Sequence, residues 1–496
     1  MIISVVCLYL WLCQGSLLFF YFSRTNISHL SIKFTLTLNY RFISALVYRR
    51  ELLGPGSVDK VGYTSSVFDD SEIFRYVIIA LIVHINELER VGVISGDVAG
   101  KIRSALRDIW RGGYDPGKLS GYEDVHEYVE AELIRRLGSI GGWVGIGRSR
   151  NDHVTTAIRL RLRRALLDLG LLVLRLREAL LGKAIETYDR VVIGSTHRQP
   201  AQITTLGHYM LYLDELSRDF LDGLMRVFNL VNRSPLGSGP LAGTMVGIDR
   251  SREAAELGFD GVVGNTIYAT GSRYFAIEAA SALVNYLVEV GRFINNLEMW
   301  LMPQLGYITA DPSHLATSSI MPHKRNPATL EVFRARIGEA IGHLMAMYSI
   351  LRPVESGYQL DLQELTRHLW AIIRIAVEGL SILTDFINGV RVNEEGVSES
   401  LSKYVVTAAE YAEVRSMRDG VPFRDVYNEV ARELRKGVRV GLGVNEALAK
   451  PVQGSSNPQF IINEARVRIN EVRELVARIN SIVSRLDEVE NKLLTG

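Results

Sequence analysis

Within residues 153–192 runs TTAIRLRLRRALLDLGLLVLRLREALLGKAI, a stretch with helical spacing that is apolar around most of its circumference. Such a helix has to be covered on several sides, either in a large bundle or between subunits. Two further segments read the same way: YFAIEAASALVNYLVEVGRFINNLEMWLM (274–302) and TLEVFRARIGEAIGHLMAMYSIL (329–351). No β-rich run of comparable length separates them, so the expected fold is all-α around a central bundle of long helices. Apolar residues make up 47% of the chain. That excess implies association through helix faces, with a symmetric assembly as the default.

A chain of 496 residues is too long for one ordinary core. Residues 47–149 read as short helices broken by Gly-rich turns. EIFRYVIIALIVHINELERVGVISG gives a buried helix ending near Gly92, and DVAGKIRSALRDIW an amphipathic one. Residues 150–398 form the bundle domain. Residues 399–496 shift to shorter helices, punctuated at Gly420–Pro422, before a charged amphipathic helix closes the chain. The N-terminal segment is the misfit: Ile2 to Phe22 carries no charge and is long enough to cross a bilayer, as an anchor or uncleaved signal would be. The expectation preferred to that one is an extraneous or disordered extension over residues 1–46, with the protein proper starting at Val47, where the sequence becomes charged and periodic.

Lys plus Arg (56) nearly balances Asp plus Glu (55), which argues against a nucleic-acid partner. Both cysteines, Cys7 and Cys13, precede the body of the chain, so a disulfide framework or Cys-ligated zinc there is excluded. No HExxH string or EF-hand-like loop points to a metal.

Four polar strings interrupt the helical pattern: GRSRNDH (147–153), STHRQPAQ (195–202), SSIMPHKRNP (318–327) with Glu331 just beyond, and GYQLDLQE (357–364). Each alone fits a solvated loop or a cap; Asn151 or Asp152 could simply start a helix, and His197 could be a surface histidine. Together they are rich in donors for carboxylates. Removing a proton beside a carboxylate puts two negative charges on one carboxyl group, which demands preorganised cations and amides. Lys324, Asn326, Ser319, Asn151 and Thr196 are residues of that kind. An acid and a base must also flank the breaking bond. A loop-tip Ser can be the base only if its oxyanion is stabilised, and a carboxylate-backed His197 suits the second proton carrier.

ATSSIMPHKRNP resembles the GSSxMPxKxNP signature of the fumarase/aspartase superfamily. GRSRND, the Thr-His of STHRQPAQ, PLGSGPLAGTMVGIDR (235–250), GYQLDLQE and GVPFRDVY (420–427) resemble, in order, the argininosuccinate lyase family. The resemblance runs from Val47 to the C-terminus. It implies an all-α, three-domain fold with a homotetrameric core of long helices, and active sites each built from three subunits. It implies a cytoplasmic enzyme of arginine biosynthesis that needs no cofactor and splits argininosuccinate into arginine and fumarate. Ser318 would be the base at the succinyl Cβ. His197 with Glu331 would serve the leaving guanidinium nitrogen, although the acid and base roles of Ser and His have been assigned both ways. Lys324 and Asn326 would hold the doubly charged carboxylate. Ser66, Arg148, Asn151, Thr196, Ser319, Tyr358 and Gln363 would bind substrate, Arg150 belonging to the same string as Arg148.

Several positions depart from the family. Gly145 and Ile146 replace a His and a Thr, Val77 stands where an Asp is common, and Tyr268 and Tyr274 replace acidic residues. Thr366 takes the place of a Lys and is followed by Arg367 and His368. His323 and Arg325 give a spelling closer to adenylosuccinate lyase, the alternative substrate reading. A non-catalytic structural relative is the remaining alternative, and the five catalytic-type residues Ser318, His197, Lys324, Asn326 and Glu331 argue against it.

Overall fold

The computed structural model describes residues 58–119 and 121–496; the Ile2–Phe22 stretch and the expected start at Val47 lie outside the described residues. Among the described residues, no helix is long and apolar enough to cross a membrane.

Helix α1 (Phe74–Arg90) is buried over most of its surface. It packs against α2 (Gly96–Arg111), whose Ala99, Ile102, Ala105, Leu106 and Ile109 recur at helical spacing on one buried face. Helix α3 (Val125–Leu137) starts at Asp124, which accepts the Glu127 N–H at 2.7 Å, and stops at Gly138, where φ is +61°. Helix α4 (Arg150–Glu186) opens with a capping box: Ser149 Oγ accepts from the first turn and Asp152 accepts the Ser149 N–H at 2.9 Å. Its 37 residues span roughly 55 Å at 1.5 Å per residue.

The polar string 195–202, expected only as a helix boundary, forms the tip of an antiparallel hairpin of β1 (Val191–Thr196) and β2 (Gln199–Thr205). Thr205 then caps α5 (Leu206–Val231), accepting the His208 N–H at 3.1 Å. A short helix α6 (Thr266–Gly271) precedes α7 (Tyr274–Leu301). Two two-residue strands, β3 (Ala316–Thr317) and β4 (Arg325–Asn326), pair across the base of the 318–324 loop. Helices α8 (Ala328–Leu351) and α9 (Asp361–Gly389) follow, then shorter helices and finally α10 (Pro458–Thr495), which lies along α4.

Local contacts fix the helix directions. Lys183 Nζ donates to Asn388 O, joining the far ends of α4 and α9, while Asn151 and Gln363 share a cavity at their near ends. Arg159 Nη1 reaches the last carbonyls of α5, so α5 runs back against α4. Ser281 of α7 meets Tyr348 at the end of α8, so α8 runs back against α7. Helices α4, α7 and α9 therefore run one way, with α5 and α8 opposed. One continuous apolar core joins α1 through α10, the short α6 excepted. Buried Asp214 on α5 ties the bundle to the last helix, accepting from Arg177 at 2.7 Å and Arg468 at 3.0 Å. Helix α8 is buried only along Leu330, Phe333, Ile337, Ala340, Leu344 and Met347; Val332, Ile341, Met345 and Tyr348 are exposed on it.

Candidate active site

The expected site residues fall into groups at the two ends of the bundle. At the end where α4, α7 and α9 begin, a cavity is lined by Ser66, Asp70, Asn151, Arg273, Tyr358 and Gln363, among others. Four of these are residues expected to bind substrate. Ser66 Oγ donates to Asp70 at 2.8 Å, Asn151 Nδ2 to Pro240 O at 3.1 Å, and Gln363 Nε2 to Thr64 O at 3.0 Å. The capping box at Ser149 sets the orientation of Asn151, because it fixes where the first turn of α4 begins.

Arg148 and Arg150 diverge from their shared string. Arg148 is buried beside the cavity, not in its lining, donating to Glu130 at 2.8 Å and to the Val144 carbonyl. Arg150 does line the cavity but is engaged with Glu123 and Asp124 at 2.9 and 2.8 Å.

Of the titratable cavity residues that escaped the sequence reading, three are strongly shifted by burial. Asp70 is pushed up to about 8 by burial, with nearby Asp124 adding to it, against hydrogen bonds from Val125 N and Ser66. Burial pushes His126 down to about 4; its Nδ1 lies 3.1 Å from His153 Nδ1 and its Nε2 meets no partner. Arg273 is the third. The available signals were slight: Asp70 follows Ser66 by one helical turn, and His126 stands in the acidic cap string of α3. The family departures at Val77, Gly145 and Ile146 lie outside the cavity lining, whereas Thr366 is in it.

The other residues sit at the opposite end. His197 and Arg198 occupy the two-residue turn of the β1–β2 hairpin with φ of +51° and +61°, a left-handed pair typical of a type I′ turn. Neither is Gly, so each side chain is held in a conformation that costs of order 1 kcal/mol. Thr196 precedes them, and all three are exposed.

Ser318 opens the signature loop. Its Oγ accepts two backbone N–H groups, from Ile320 at 3.3 Å and Met321 at 3.1 Å. That is the stabilisation a seryl oxyanion requires. The Met321 carbonyl accepts the Lys324 N–H at 3.1 Å, and the β3–β4 ladder closes the loop. Ser319, Lys324 and Glu331 are exposed and Asn326 is half-buried. Gly306 and the Asp311-Pro312 turn lie just upstream of the loop. They are tethered: Asn393 Nδ2 donates to Gly306 O at 2.8 Å, and Asp311 caps its own turn through Ser313.

No hydrogen bond or ion pair joins His197 to Glu331, or either to Ser318, within the described chain. Helix α4 separates Asn151 from the hairpin by roughly 50 Å, and α9 separates Gln363 from the loop end by about 40 Å. One copy thus presents the cavity at one end and the residues expected to transfer protons at the other.

Comparison with known proteins gives one consistent answer. The Lyase family model matches residues 60–342. An argininosuccinate lyase of Pyrobaculum calidifontis is 45% identical over 425 residues, covering 86% of this chain and 98% of its own length. One from Sulfolobus acidocaldarius is 38% identical over 425 residues, covering 85% and 92%. Among solved structures, an EDDS lyase in complex with formate superposes with a TM-score of 0.76 at 25% identity, over 88% of this chain and 94% of that one. A class II fumarase from Schistosoma mansoni shares the fold, with a TM-score of 0.67 at 16% identity over 79% and 90%.

Proposed function

We propose a function from one premise: the chain belongs to the Lyase family, and within it to the argininosuccinate lyases of the fumarase/aspartase superfamily. It is a carbon–nitrogen lyase that splits argininosuccinate into arginine and fumarate. In our reading Ser318 takes the succinyl Cβ proton. The electron pair flows into the neighbouring carboxylate, where Lys324, Asn326 and Ser319 hold the double charge. The Cβ-to-carboxylate electrons then form the fumarate double bond as the C–N bond breaks. His197, backed by Glu331, protonates the leaving guanidinium nitrogen, with Thr196 beside it on the substrate. Ser66, Asn151, Tyr358 and Gln363 hold the arginyl half, and Arg148 acts behind them by fixing the start of α4.

The observation that carries this reading is the pair of backbone N–H groups on Ser318 Oγ. A loop serine so held has two donors in place for an alkoxide; capping Ser149 also accepts from its first turn, but it has no signature loop around it, whereas Ser318 shares its loop with Lys324 and Asn326. The two-ended distribution of residues supports self-association as a homotetramer with shared sites, because an antiparallel neighbour would bring one copy's hairpin and loop to another's cavity. The exposed apolar flank of α8 supports the same assembly. A cytoplasmic location accords with this small-molecule chemistry.

The test is an assay for fumarate on mixing the protein with argininosuccinate. Ser318→Ala should lower turnover by at least about a thousandfold with assembly unchanged. Near-normal activity of that variant would remove Ser318 from the mechanism. Fumarate released from adenylosuccinate but not from argininosuccinate would overturn the substrate.

A further inference from the structure

We propose that Arg273 binds the α-carboxylate of the arginyl half of the substrate, in the cavity lined by Ser66, Asn151, Tyr358 and Gln363. The inference rests on the lyase reading for the substrate's identity, and on the cavity for the rest.

Arg273 is only 1% exposed, yet its side chain lines the cavity. Its Nη1 donates to Thr270 O and Ser272 O, both at 3.1 Å, while its Nε meets no partner. It forms no ion pair among the described residues. Burial pushes its pKa down to about 10, with only the Tyr358 phenol opposing.

Most of the other buried or cavity-lining arginines have a carboxylate nearby. Arg177 and Arg468 share Asp214, Arg163 lies 3.7 Å from Glu490, and Arg150 has Glu123 and Asp124; Arg159 also meets only carbonyls, but at the negative end of the 26-residue α5 and outside the cavity lining. Arg273 has only the carbonyls around the end of the six-residue α6. A desolvated guanidinium without a counter-charge costs several kcal/mol, roughly, unless an anion arrives to neutralise it. The planar fork suits a carboxylate.

The position is rigid. A Cβ on Gly271 would fall 1.9 Å from Ser356 O, so the α6–α7 junction and the 356–358 segment are in direct backbone contact. The guanidinium carbon consequently stands 5.8 Å from the Tyr358 ring centroid. Its neighbours cannot take over this role. Thr366 in the lining carries no charge, and Arg367 next to it is engaged with Asp69 and Glu364. Asp70 and Ser66, which also line the cavity, offer oxygen acceptors to an α-ammonium, Asp70 giving up its proton as the cation binds. The two together match the zwitterionic head of an α-amino acid. In the proposed reaction Lys324 and Asn326 hold a succinyl carboxylate, which leaves the α-carboxylate for Arg273.

The test compares L-arginine with agmatine, the same molecule without its carboxylate. Calorimetric binding to the wild-type assembly should favour L-arginine by about tenfold to a hundredfold. Arg273→Gln should abolish that preference and raise KM for argininosuccinate by a similar factor, with the agmatine affinity unchanged. Arg273→Lys, which keeps charge but loses the fork, should fall between. Equal wild-type affinities, or a folded Arg273→Gln that keeps its preference, would overturn the proposal. Should neither variant fold, the wild-type comparison still decides for or against carboxylate recognition. Failure of the lyase reading is separate: the wild-type protein would then release no fumarate, while the arginine–agmatine comparison would still report on Arg273.

Discussion

Asp70→Asn should make the protein more stable, and by an amount that grows with pH. The folded pKa of about 8 lies above the ordinary 3.8, so between these values the folded chain keeps a proton that the unfolded chain has lost. The sign is fixed by linkage: where the folded state binds more protons, its stability falls as pH rises. The slope approaches 1.4 kcal/mol, roughly, per pH unit for one proton. Between about pH 5 and pH 7 the wild type should therefore lose about 3 kcal/mol relative to Asp70→Asn, and the difference should level off above about pH 8. Asn is a close mimic of the protonated acid: one side-chain oxygen of Asp70 accepts both Ser66 Oγ–H at 2.8 Å and Val125 N–H at 3.0 Å, and an amide oxygen can do the same. Urea midpoints of the two proteins, at one fixed protein concentration across this pH range, measure the effect. A constant difference at every pH would refute the reasoning, because it would mean that Asp70 is ionised in the fold. Weaker substrate binding is expected alongside, since Asn cannot offer a carboxylate to an ammonium.

Gly379→Ala places a Cβ 1.9 Å from the Phe333 ring between α9 and α8; a loss of about 1–3 kcal/mol from overpacking should appear as a lower urea midpoint. Asp214→Ala removes the nearest carboxylate of buried Arg177, while Arg468 keeps Glu464 and Glu215, and should cost about 3–5 kcal/mol, read from the same titration. His197→Asn should cut turnover by roughly a hundredfold or more while leaving stability unchanged or slightly raised. Asn accepts the left-handed backbone of that turn better than His does, so a fall in stability would argue against the strain at the hairpin tip.

The helical scaffold was legible because its signal is local and repeated. The apolar spacing of residues 153–192 and 274–302 admits one secondary structure, and α4 and α7 follow it with small shifts at the ends. The hairpin was not legible. STHRQPAQ has neither the alternation of a strand nor the Asn-Gly of a type I′ turn, and His197 and Arg198 adopt that turn against their own preference. The signature loop was readable as a chemical unit, yet its two N–H donors to Ser318 depend on backbone direction, which composition does not encode. Arg273 was invisible for a different reason. Its meaning lies in what it lacks, a counter-charge, and a missing partner can be recognised only once the neighbours are in place.

The bundle's long helices also separate two events that coincide in most enzymes. A bond rotation or a loop swing moves an atom by a few ångströms, and no such motion spans a rod like α4. If the shared-site assembly holds, a chain can be completely folded and still inert, and competence arrives only by encounter with another copy. Specific activity would then depend on enzyme concentration through the assembly equilibrium. Dilution would act as an inhibitor, and a cell could silence this enzyme simply by making little of it.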